Sequence, residues 1–361
     1  MLKLPVVWAD GCLEHVPGAE IWVGVRTPGT ELPERATLIR DAVVRAGARL
    51  VPAAAHGDDV LELVHDKAFL DHLANVYVAW EEAGFPVDPG QDRVVPYVFP
   101  TAAMLAGMPE RVPVAIHARA GLYCYDTMTL VGPGTWTAAR AAVDAALTAA
   151  DLVAAGEPVA YAICRPPGHH ATRAGYGGSC YLNNAAVAAV ALRRAGVERV
   201  AVVDVDAHHG NGTQALFYDR GDVYYGSVHV DPGAGWFPHY LGFADERGTG
   251  DGAAHNRNVP LAPGSGDEAW LAGVAEVCAD VAAFQPGAVV VSLGVDAAAD
   301  DPESPLRVTE SGYLRSGALV RELGVPVVAV HEGGYHLPTL GALTVATLLG
   351  LTGTAGEGSA P

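Results

Sequence analysis

The sequence predicts a single α/β domain in which helices cover a mainly parallel sheet. Short β-branched runs alternate with Ala- and Leu-rich helical patterns through most of the 361 residues, as βαβ units do. Half of the residues are hydrophobic, which is enough for a large core. Because no repeat or linker divides the chain, residues 1–361 are interpreted as one domain.

Six apolar runs predict the strands. They begin near residues 4, 158, 198, 222, 287 and 324, with the sequences LPVVWA, PVAYAIC, ERVAVVDVD, DVYYGSVHV, GAVVVSLGVD and GVPVVAVHEGG. Helical patterns cover roughly residues 135–155, 183–196, 267–284, 311–323 and 338–350. Near-continuous apolar runs are typical of strands buried on both faces, as in a parallel sheet that helices cover.

Two segments do not follow this alternation. Residues 84–130 are rich in proline, glycine and aromatic residues and are too long for an ordinary connection. A loop of this kind either covers an active site or contacts a partner subunit. The C-terminal sequence GTAGEGSAP is expected to fray.

Charge and hydropathy exclude several classes of function. A formal net charge of −19 repels phosphate backbones and favours cationic ligands, so nucleic-acid binding is not expected. The chain has neither an uncharged apolar run of 18 residues nor the pattern of a secretory signal. No membrane association and a cytoplasmic location are therefore expected.

The five cysteines are odd in number and widely spaced, with no C-x-x-C pair. They favour neither a disulfide framework nor a thiolate zinc site. Free structural thiols are predicted.

The sequence VDVDAHHGNG follows the run near residue 198 and contains the first candidate site. Alternate residues of a strand share a face, so Asp204, Asp206 and His208 are expected to project together. Buried carboxylates need a compensating partner, and carboxylates with imidazole suit zinc or another divalent metal. The structural alternative is a set of salt-bridged or helix-capping carboxylates.

Two further strand ends offer matching chemistry. Asp296, in SLGVD, would be a third metal ligand, and two Asp with one His leave positions open for water and substrate. The motif RPPGHHA places His169 and His170 after another strand, where paired histidines suit proton transfer. Alternatively, they are loop histidines whose hydrogen bonds are satisfied locally.

The sequence HEGGYHLP follows the last predicted strand. Gly333 and Gly334 permit an unusual backbone path that would turn Tyr335 into the site. Its hydroxyl could then donate a hydrogen bond to a developing oxyanion.

Taken together, the ordered motifs CRPPGHHA, GGSCYLNNAAVAA, VDVDAHHGNGTQALFY, SLGVD and EGGY resemble the histone deacetylase family, with the greatest similarity to the bacterial acetylpolyamine amidohydrolases. The resemblance covers most of the chain. It implies the arginase/deacetylase fold, which has three α/β/α layers around a central, mainly parallel sheet of about eight strands.

The resemblance also implies roles for individual residues. It implies that Asp206, His208 and Asp296 are the zinc ligands and that Tyr335 polarises the carbonyl. It implies that His169 has a mainly electrostatic role, whereas His170 is the general base and acid. Asp204 would orient His169, and Asn211 would orient His170. A structural potassium site is implied at Asp204, Asp206, the Ser227 hydroxyl and the backbone carbonyls of His208 and Val228.

The implied activity is hydrolysis of N-acetylated amines, foremost acetylpolyamines, by a metal-activated water. Iron or cobalt could replace zinc in the cell. Acetyl-lysine and specialised N-acyl metabolites are the alternative substrates. The resemblance further implies that residues 84–130 build a homodimer and narrow the tunnel, and that Glu20 attracts a cationic tail at its mouth.

The sequence departs from the family pattern at the substrate tunnel. Ser179, between Gly178 and Cys180, stands where the family has an aromatic wall residue, which predicts a wider or more polar tunnel. Trp236 and Phe237 are expected to form the opposite wall, and Trp236 could refill the space beside Ser179.

Another departure concerns charge. His117 and Arg119 are expected in a loop where a polyamine enzyme would carry acidic residues. Both departures weaken a polyamine assignment without affecting the catalytic residues.

Two other functions compete with a deacetylase. An arginase-type binuclear manganese centre would need carboxylates at Gly210 and Gly294, where this chain has glycine. A non-catalytic module that binds acetylated or cationic ligands would be expected to lack Tyr335, His170 or a zinc ligand, and all are present.

Overall fold

The computed structural model describes residues 1–353 and contains two sheets. In chain order the strands are β1 (Pro5–Trp8), β2 (Glu20–Trp22), β3 (Val25–Thr27), β4 (Arg49–Pro52), β5 (Val159–Ala162), β6 (Val200–Asp204), β7 (Val223–Val230), β8 (Asn256–Leu261), β9 (Ala288–Leu293) and β10 (Val327–His331). Apart from Gly353, the GTAGEGSAP sequence expected to fray lies outside the described residues.

The central sheet has eight strands in the order β4-β1-β5-β10-β9-β6-β7-β8. Every neighbouring pair in it is parallel, whereas β2 and β3 form a separate antiparallel hairpin. The prediction of a mainly parallel sheet of about eight strands is confirmed.

The helices are α1 (Glu34–Arg45), α2 (Leu61–Val64), α3 (Lys67–Glu82), α4 (Ala102–Leu105), α5 (Ile116–Tyr123), α6 (Thr135–Ala154), α7 (Asn184–Arg194), α8 (Asn211–Phe217), α9 (Asp267–Phe284), α10 (Glu310–Arg321) and α11 (Leu337–Thr352). The five predicted helices correspond to α6, α7, α9, α10 and α11. None of the helices in the described part of the chain is long and apolar enough to cross a membrane.

Each face of the sheet packs against its own hydrophobic core. Along β6, Val200 and Val202 contribute to one core, whereas Ala201 and Val203 contribute to the other. The first core includes residues of α3, α6 and α7, and the second includes residues of α1, α9, α10 and α11. Because side chains alternate between the faces of a strand, this pattern produces three layers.

The two sheet strands that the sequence did not predict, β4 and β8, are its edges. β4 has the sequence RLVP and is largely exposed, and β8 has the polar sequence NRNVPL. Neither strand presents a continuous apolar run, because an edge strand is covered less completely than an inner one.

Residues 84–130 contain little regular structure beyond α4 and α5. The segment is attached to the domain near its ends, where the Trp80 indole donates a hydrogen bond to the Gln91 carbonyl and Val94 pairs with Val131. All five cysteines are free and buried, as predicted.

Candidate active site

The predicted site residues meet at the carboxyl edge of the central sheet. β5, β10, β9 and β6 are consecutive neighbours in that sheet, so the segments that follow them come together. β6 already ends at Asp204, so Asp206 and His208 belong to the segment after it and not to a continuing strand face. The predicted convergence therefore arises from neighbouring strand ends more than from alternation along one strand.

Asp206, His208 and Asp296 form a group that could bind a metal. One ligand atom from each of the three lies within 4.8 Å of the other two. His208 Nδ1 is 3.0 Å from Asp296 Oδ2 and 3.4 Å from Asp206 Oδ1. Both carboxylates are buried, and His208 is largely buried.

Hydrogen bonds orient these three side chains. The Asp206 carboxylate accepts the backbone N–H groups of His208 (2.9 Å) and Gly333 (2.7 Å), and Asp296 accepts that of Ala207 (2.7 Å). His208 Nε2 donates to the Glu303 carbonyl at 3.0 Å, which leaves the Nδ1 lone pair available. Oriented carboxylates with an imidazole fixed in one tautomer are donors that suit a divalent cation such as zinc.

The charges of this group also favour a cation. Burial and the nearby Asp206 raise the pKa of Asp296 to about 7. Hydrogen bonds to both carboxylates outweigh the burial of His208 and raise the pKa of its imidazole well above 6.5. Without a cation, protons must balance the two buried carboxylates, and a bound metal would take over that role.

A second buried group, His169, Cys180 and Glu332, also places potential ligand atoms within 4.8 Å of one another. It fits a metal less well. The Glu332 carboxylate already accepts hydrogen bonds from the Gly168 and His169 backbone and from Ser292. Burial raises the pKa of the Cys180 thiol well above 9, which opposes the thiolate that a metal needs.

The tandem histidines lie beside the first group, with ring centroids 4.0 Å apart. His169 Nδ1 donates to Asp204 Oδ2 at 3.1 Å, and His170 Nδ1 donates to Asn211 Oδ1 at 2.7 Å. The predicted orienting partners are therefore in hydrogen-bond contact with the histidines. Nδ1 carries a proton in each ring, and in His170 the other nitrogen, Nε2, is available to accept a proton.

The two histidines differ in their electrostatic surroundings. Burial lowers the pKa of His169, but Asp206 and Asp204 outweigh this effect and raise it to about 10. Burial and the neighbouring imidazoles of His169 and His208 hold the pKa of His170 well below 6.5. Its Asn211 partner is neutral, so His170 is the histidine that stays uncharged and can accept a proton.

The Tyr335 phenol lines the same cavity as His170 and His208. Gly334 adopts a left-handed φ of +129°, and the Tyr335 backbone N–H donates to Asp301 Oδ2 at 2.7 Å. Burial raises the pKa of the phenol well above 10, so its proton remains available for donation.

Arg35, a residue that no motif indicated, holds the turn before Tyr335. Its guanidinium donates to the carbonyls of Glu332 and Gly334, both at 2.6 Å, and lies 4.6 Å from the centroid of the Tyr335 ring. Glu31 forms ion pairs with both Arg35, at 2.7 Å, and the buried Arg165, at 2.8 Å.

The cavity above the metal group is lined by residues from several parts of the chain: Glu20, Thr30, Asp126, Met128, His170, Gly178, Ser179, His208, Phe237, Glu303 and Tyr335. Glu20, Gly178, Ser179 and Phe237 were predicted to line a tunnel. Glu303 could have been noticed because it lies in the acidic sequence ADDPES, which begins three residues after SLGVD ends. Asp126 and Met128 come from a segment without periodicity, which gave no signal.

Two expectations about the tunnel need correction. Trp236 is not among the residues that line the cavity; it packs against the core that contains α9 and α11, so it does not refill the space beside Ser179. His117 and Arg119 lie in α5, not in a loop. The Arg119 guanidinium donates to the carbonyls of Pro113 and Val114, away from the cavity.

The potassium site implied by the resemblance involves two adjacent strands. Asp204 of β6 and Ser227 of β7 are register partners, and Val228 is the next residue of β7. The Ser227 hydroxyl lies 2.8 Å from His229 Nδ1. The potassium role of these residues and of the His208 carbonyl stays a prediction.

A binuclear centre of the arginase type does not fit this site. A Cβ at Gly210 would lie 2.3 Å from Asp204 Oδ2, and one at Gly294 would lie 2.1 Å from Asp206 Oδ2. These positions have no room for any side chain, still less for two further carboxylate ligands.

Comparison with known proteins identifies the family and the fold. Residues 30–351 match the histone deacetylase domain. The chain is 40% identical to the acetylpolyamine amidohydrolase of Mycoplana ramosa, over 92% of this chain and 95% of the relative. It is 39% identical to acetylpolyamine amidohydrolase 1 of Pseudomonas aeruginosa, over 97% of this chain and 99% of the relative.

A solved structure gives the same result. The acetylpolyamine aminohydrolase of Burkholderia pseudomallei superposes with a TM-score of 0.90 and 37% identity, covering 96% of this chain and 98% of that one. The predicted arginase/deacetylase fold is confirmed, and the chain belongs to the histone deacetylase family.

Proposed function

We propose that this protein is a metal-dependent amidohydrolase that removes acetyl groups from N-acetylated amines, with acetylpolyamines as the first substrate class. The observation that carries the proposal is the cavity that His208, His170 and Tyr335 line together, with Asp206 and Asp296 beside His208. The relatives named as acetylpolyamine amidohydrolases over nearly their full length support this substrate class.

Asp206, His208 and Asp296 would hold the metal, for which zinc is the first candidate and iron or cobalt the alternatives. Three protein ligands leave coordination positions for water and substrate. When bound, the metal supplies a Lewis acid that polarises the amide carbonyl and makes water acidic near neutral pH.

Proton transfer is assigned to His170. Its Nδ1–H is committed to Asn211, and its low pKa keeps Nε2 unprotonated before reaction. His170 accepts the proton that the attacking water loses and passes it to the amine nitrogen as the C–N bond breaks. The products are acetate and the free amine.

Tyr335 and His169 stabilise the charges that develop. The Tyr335 phenol donates to the carbonyl oxygen as negative charge builds on it. His169, paired with Asp204, keeps a positive charge or a polarised N–H beside the reacting group. Tyr335 thus acts on the oxyanion, and His169 acts through its electric field.

The lining of the cavity suits a cationic substrate. Glu20 and Glu303 belong to it, and neither carboxylate forms an ion pair with any described residue. A distal ammonium of an acetylated polyamine would find its countercharge there.

We further propose a structural potassium ion at the β6–β7 site and a homodimer formed through residues 84–130.

The test is kcat/KM of the zinc-loaded protein on acetylputrescine, acetylcadaverine, acetylspermidine, an acetyl-lysine peptide and an N-acetyl amino sugar. The proposal expects the acetylpolyamines to be preferred. Preference for the peptide would keep the chemistry but replace the substrate class. No turnover of any compound by protein that contains stoichiometric metal would contradict the enzymatic function and favour a binding module.

A further inference from the structure

We propose that Ser179 is a specificity-determining residue, which selects N-acetylated amines that carry a hydroxyl or another hydrogen-bonding substituent close to the amide nitrogen, starting at the second carbon from it. The inference rests on the proposed deacetylase function and narrows its substrate class. It begins with the chemistry of the cavity wall. Phe237 provides an aromatic surface there, whereas Ser179 provides a small polar one.

Ser179 lies close to the reacting centre. A Cβ on the preceding Gly178 would lie 2.4 Å from His170 Cδ2 and 2.8 Å from Phe237 Cε1. The His170 and Phe237 rings are themselves 4.7 Å apart. Since consecutive Cα atoms are about 3.8 Å apart, Ser179 is the immediate neighbour of Gly178, a residue that packs against His170. A substrate whose amide lies beside His170 would therefore place the carbons nearest its amide nitrogen beside Ser179.

The backbone around Ser179 is fixed in an unusual conformation. Ser179 has a φ of +61°, in the left-handed region that side-chain-bearing residues rarely adopt. The Gly178 N–H donates to Asp126 Oδ2 at 2.6 Å, and the Ser179 N–H donates to Thr129 Oγ1 at 2.9 Å. Such conformations persist where the surroundings determine them, and they often occur at ligand sites.

The Ser179 hydroxyl is available to a ligand. It forms no hydrogen bond to any residue in the described range 1–353, and the residue is half-buried in the cavity lining. A hydroxyl can both donate and accept. A hydrogen-bonding substituent of the substrate would take the place of a water molecule on the Ser179 hydroxyl. A bare methylene chain would displace that water without replacing its hydrogen bonds.

Three substrates separate the effect of a hydrogen bond to Ser179 from the effect of the size of the substituent. They are N-acetylputrescine, its analogue with a hydroxyl on the second carbon from the amide nitrogen, and its analogue with a methyl group on that carbon. The methyl group occupies nearly the same volume as the hydroxyl. For the metal-loaded wild-type protein we expect kcat/KM to favour the hydroxyl over the methyl compound about tenfold, the effect of one net hydrogen bond.

Variants then assign this preference to the side chain. Ser179→Ala keeps the space but removes the hydroxyl, so the ratio of kcat/KM between the hydroxyl and methyl compounds should fall to about one. Ser179→Phe fills the space and should lower kcat/KM for both substituted compounds relative to that for N-acetylputrescine. Ser311→Ala, an exposed serine of α10, is the matched control and should change none of the three.

Binding provides a second readout. Calorimetric Kd values of the three compounds for the Tyr335→Phe variant, in which turnover is slow, should show the same order. Equal values for the hydroxyl and methyl compounds, or a preference that survives in Ser179→Ala, would overturn the inference. Absence of turnover by the wild type would instead refute the proposed function, and the Kd values alone would then decide the role of Ser179.

Discussion

Tyr335 is the residue at which the proposed chemistry depends most directly on one hydrogen bond. Its phenol lines the cavity and keeps its proton, because burial raises its pKa. Tyr335→Phe should lower kcat by roughly two to three orders of magnitude, as loss of one oxyanion donor does. Metal content should not change, since Tyr335 is not a proposed ligand. Near-normal turnover would refute the assigned role.

Asp296 has a different role from Asp300, an exposed aspartate four residues later. Its Oδ2 lies 3.0 Å from His208 Nδ1, and its burial leaves water little access to it. Asp296→Ala should remove bound metal and activity together, as measured by elemental analysis and turnover. Asp300→Ala, at an exposed position four residues later, is the control and should preserve both. A variant at Asp296 with stoichiometric zinc would show that the ligand is wrongly assigned.

Glu20 should make the preference for cations depend on pH. Burial, with smaller contributions from nearby Glu303 and Asp126, raises the pKa of Glu20 to about 7. The carboxyl group is neutral below that pH and charged above it, so it attracts an ammonium only at the higher pH. The ratio of kcat/KM for N-acetylputrescine to that for an uncharged N-acetyl amine should therefore rise as pH increases through about 7.

The ratio between two substrates cancels pH effects on the catalytic histidines, which both compounds share. In Glu20→Gln the ratio should be low at every pH, because the amide does not ionise. A ratio that still rises near pH 7 in that variant would assign the effect to another group, such as Glu303.

At the scale of elements, α1 is tied to the site by one buried arginine. Arg35 and Glu31 are both almost fully buried, and Arg35 also holds the turn after β10. Arg35→Ala leaves the Glu332 and Gly334 carbonyls without their donor, whereas Glu31 keeps its ion pair with Arg165 at 2.8 Å, so the free energy of unfolding should fall by about 2–4 kcal/mol in denaturant titration. Arg40→Ala, on the same helix but half-exposed, should cost about 1 kcal/mol or less. Equal losses for the two variants would contradict this account.

The elements that the sequence could predict are those that the core surrounds. The six predicted strands are the six inner strands of the sheet, where helices on both sides require continuous apolar runs. The edge strands β4 and β8 are polar or exposed and gave no such signal. The β2–β3 hairpin has the sequence EIWVGVRT, whose short strands were not distinguished from a loop.

At the scale of the whole molecule, the same distinction applies to the site. Inner strands end at or just before the metal-binding and catalytic residues Asp204, Asp206, Asp296 and the tandem histidines. Because the carboxyl ends of parallel strands lie at one edge of a sheet, the convergence of these residues could be predicted. Arg35, Asp126 and Glu303 come from a helix or from irregular segments, and their positions depend on how those segments pack. The position of Trp236 could not be predicted, because its adjacency to Phe237 in the sequence does not decide which of the two side chains faces the cavity.

Residues 84–130 present the apolar surface that the domain itself does not cover. Six of its large apolar side chains are more than half exposed: Val87 (89%), Tyr97 (72%), Met104 (64%), Met108 (67%), Val112 (64%) and Val114 (91%). Exposed apolar residues clustered in one segment typically mark a protein–protein contact, and a second copy of the chain is the proposed partner. Light scattering should therefore give twice the monomer mass of 37.3 kDa.

A charged substitution in this segment should separate the two copies. Met108→Asp with Val114→Asp would place two carboxylates in an apolar interface, so the mass should fall to that of the monomer, while the free energy of unfolding of each monomer changes little because both side chains are exposed. Val44→Asp, at a half-exposed position on α1 outside the segment, should leave the dimer intact. A wild-type protein that is monomeric at micromolar concentration, or a double variant that remains dimeric, would show that this surface is not the interface.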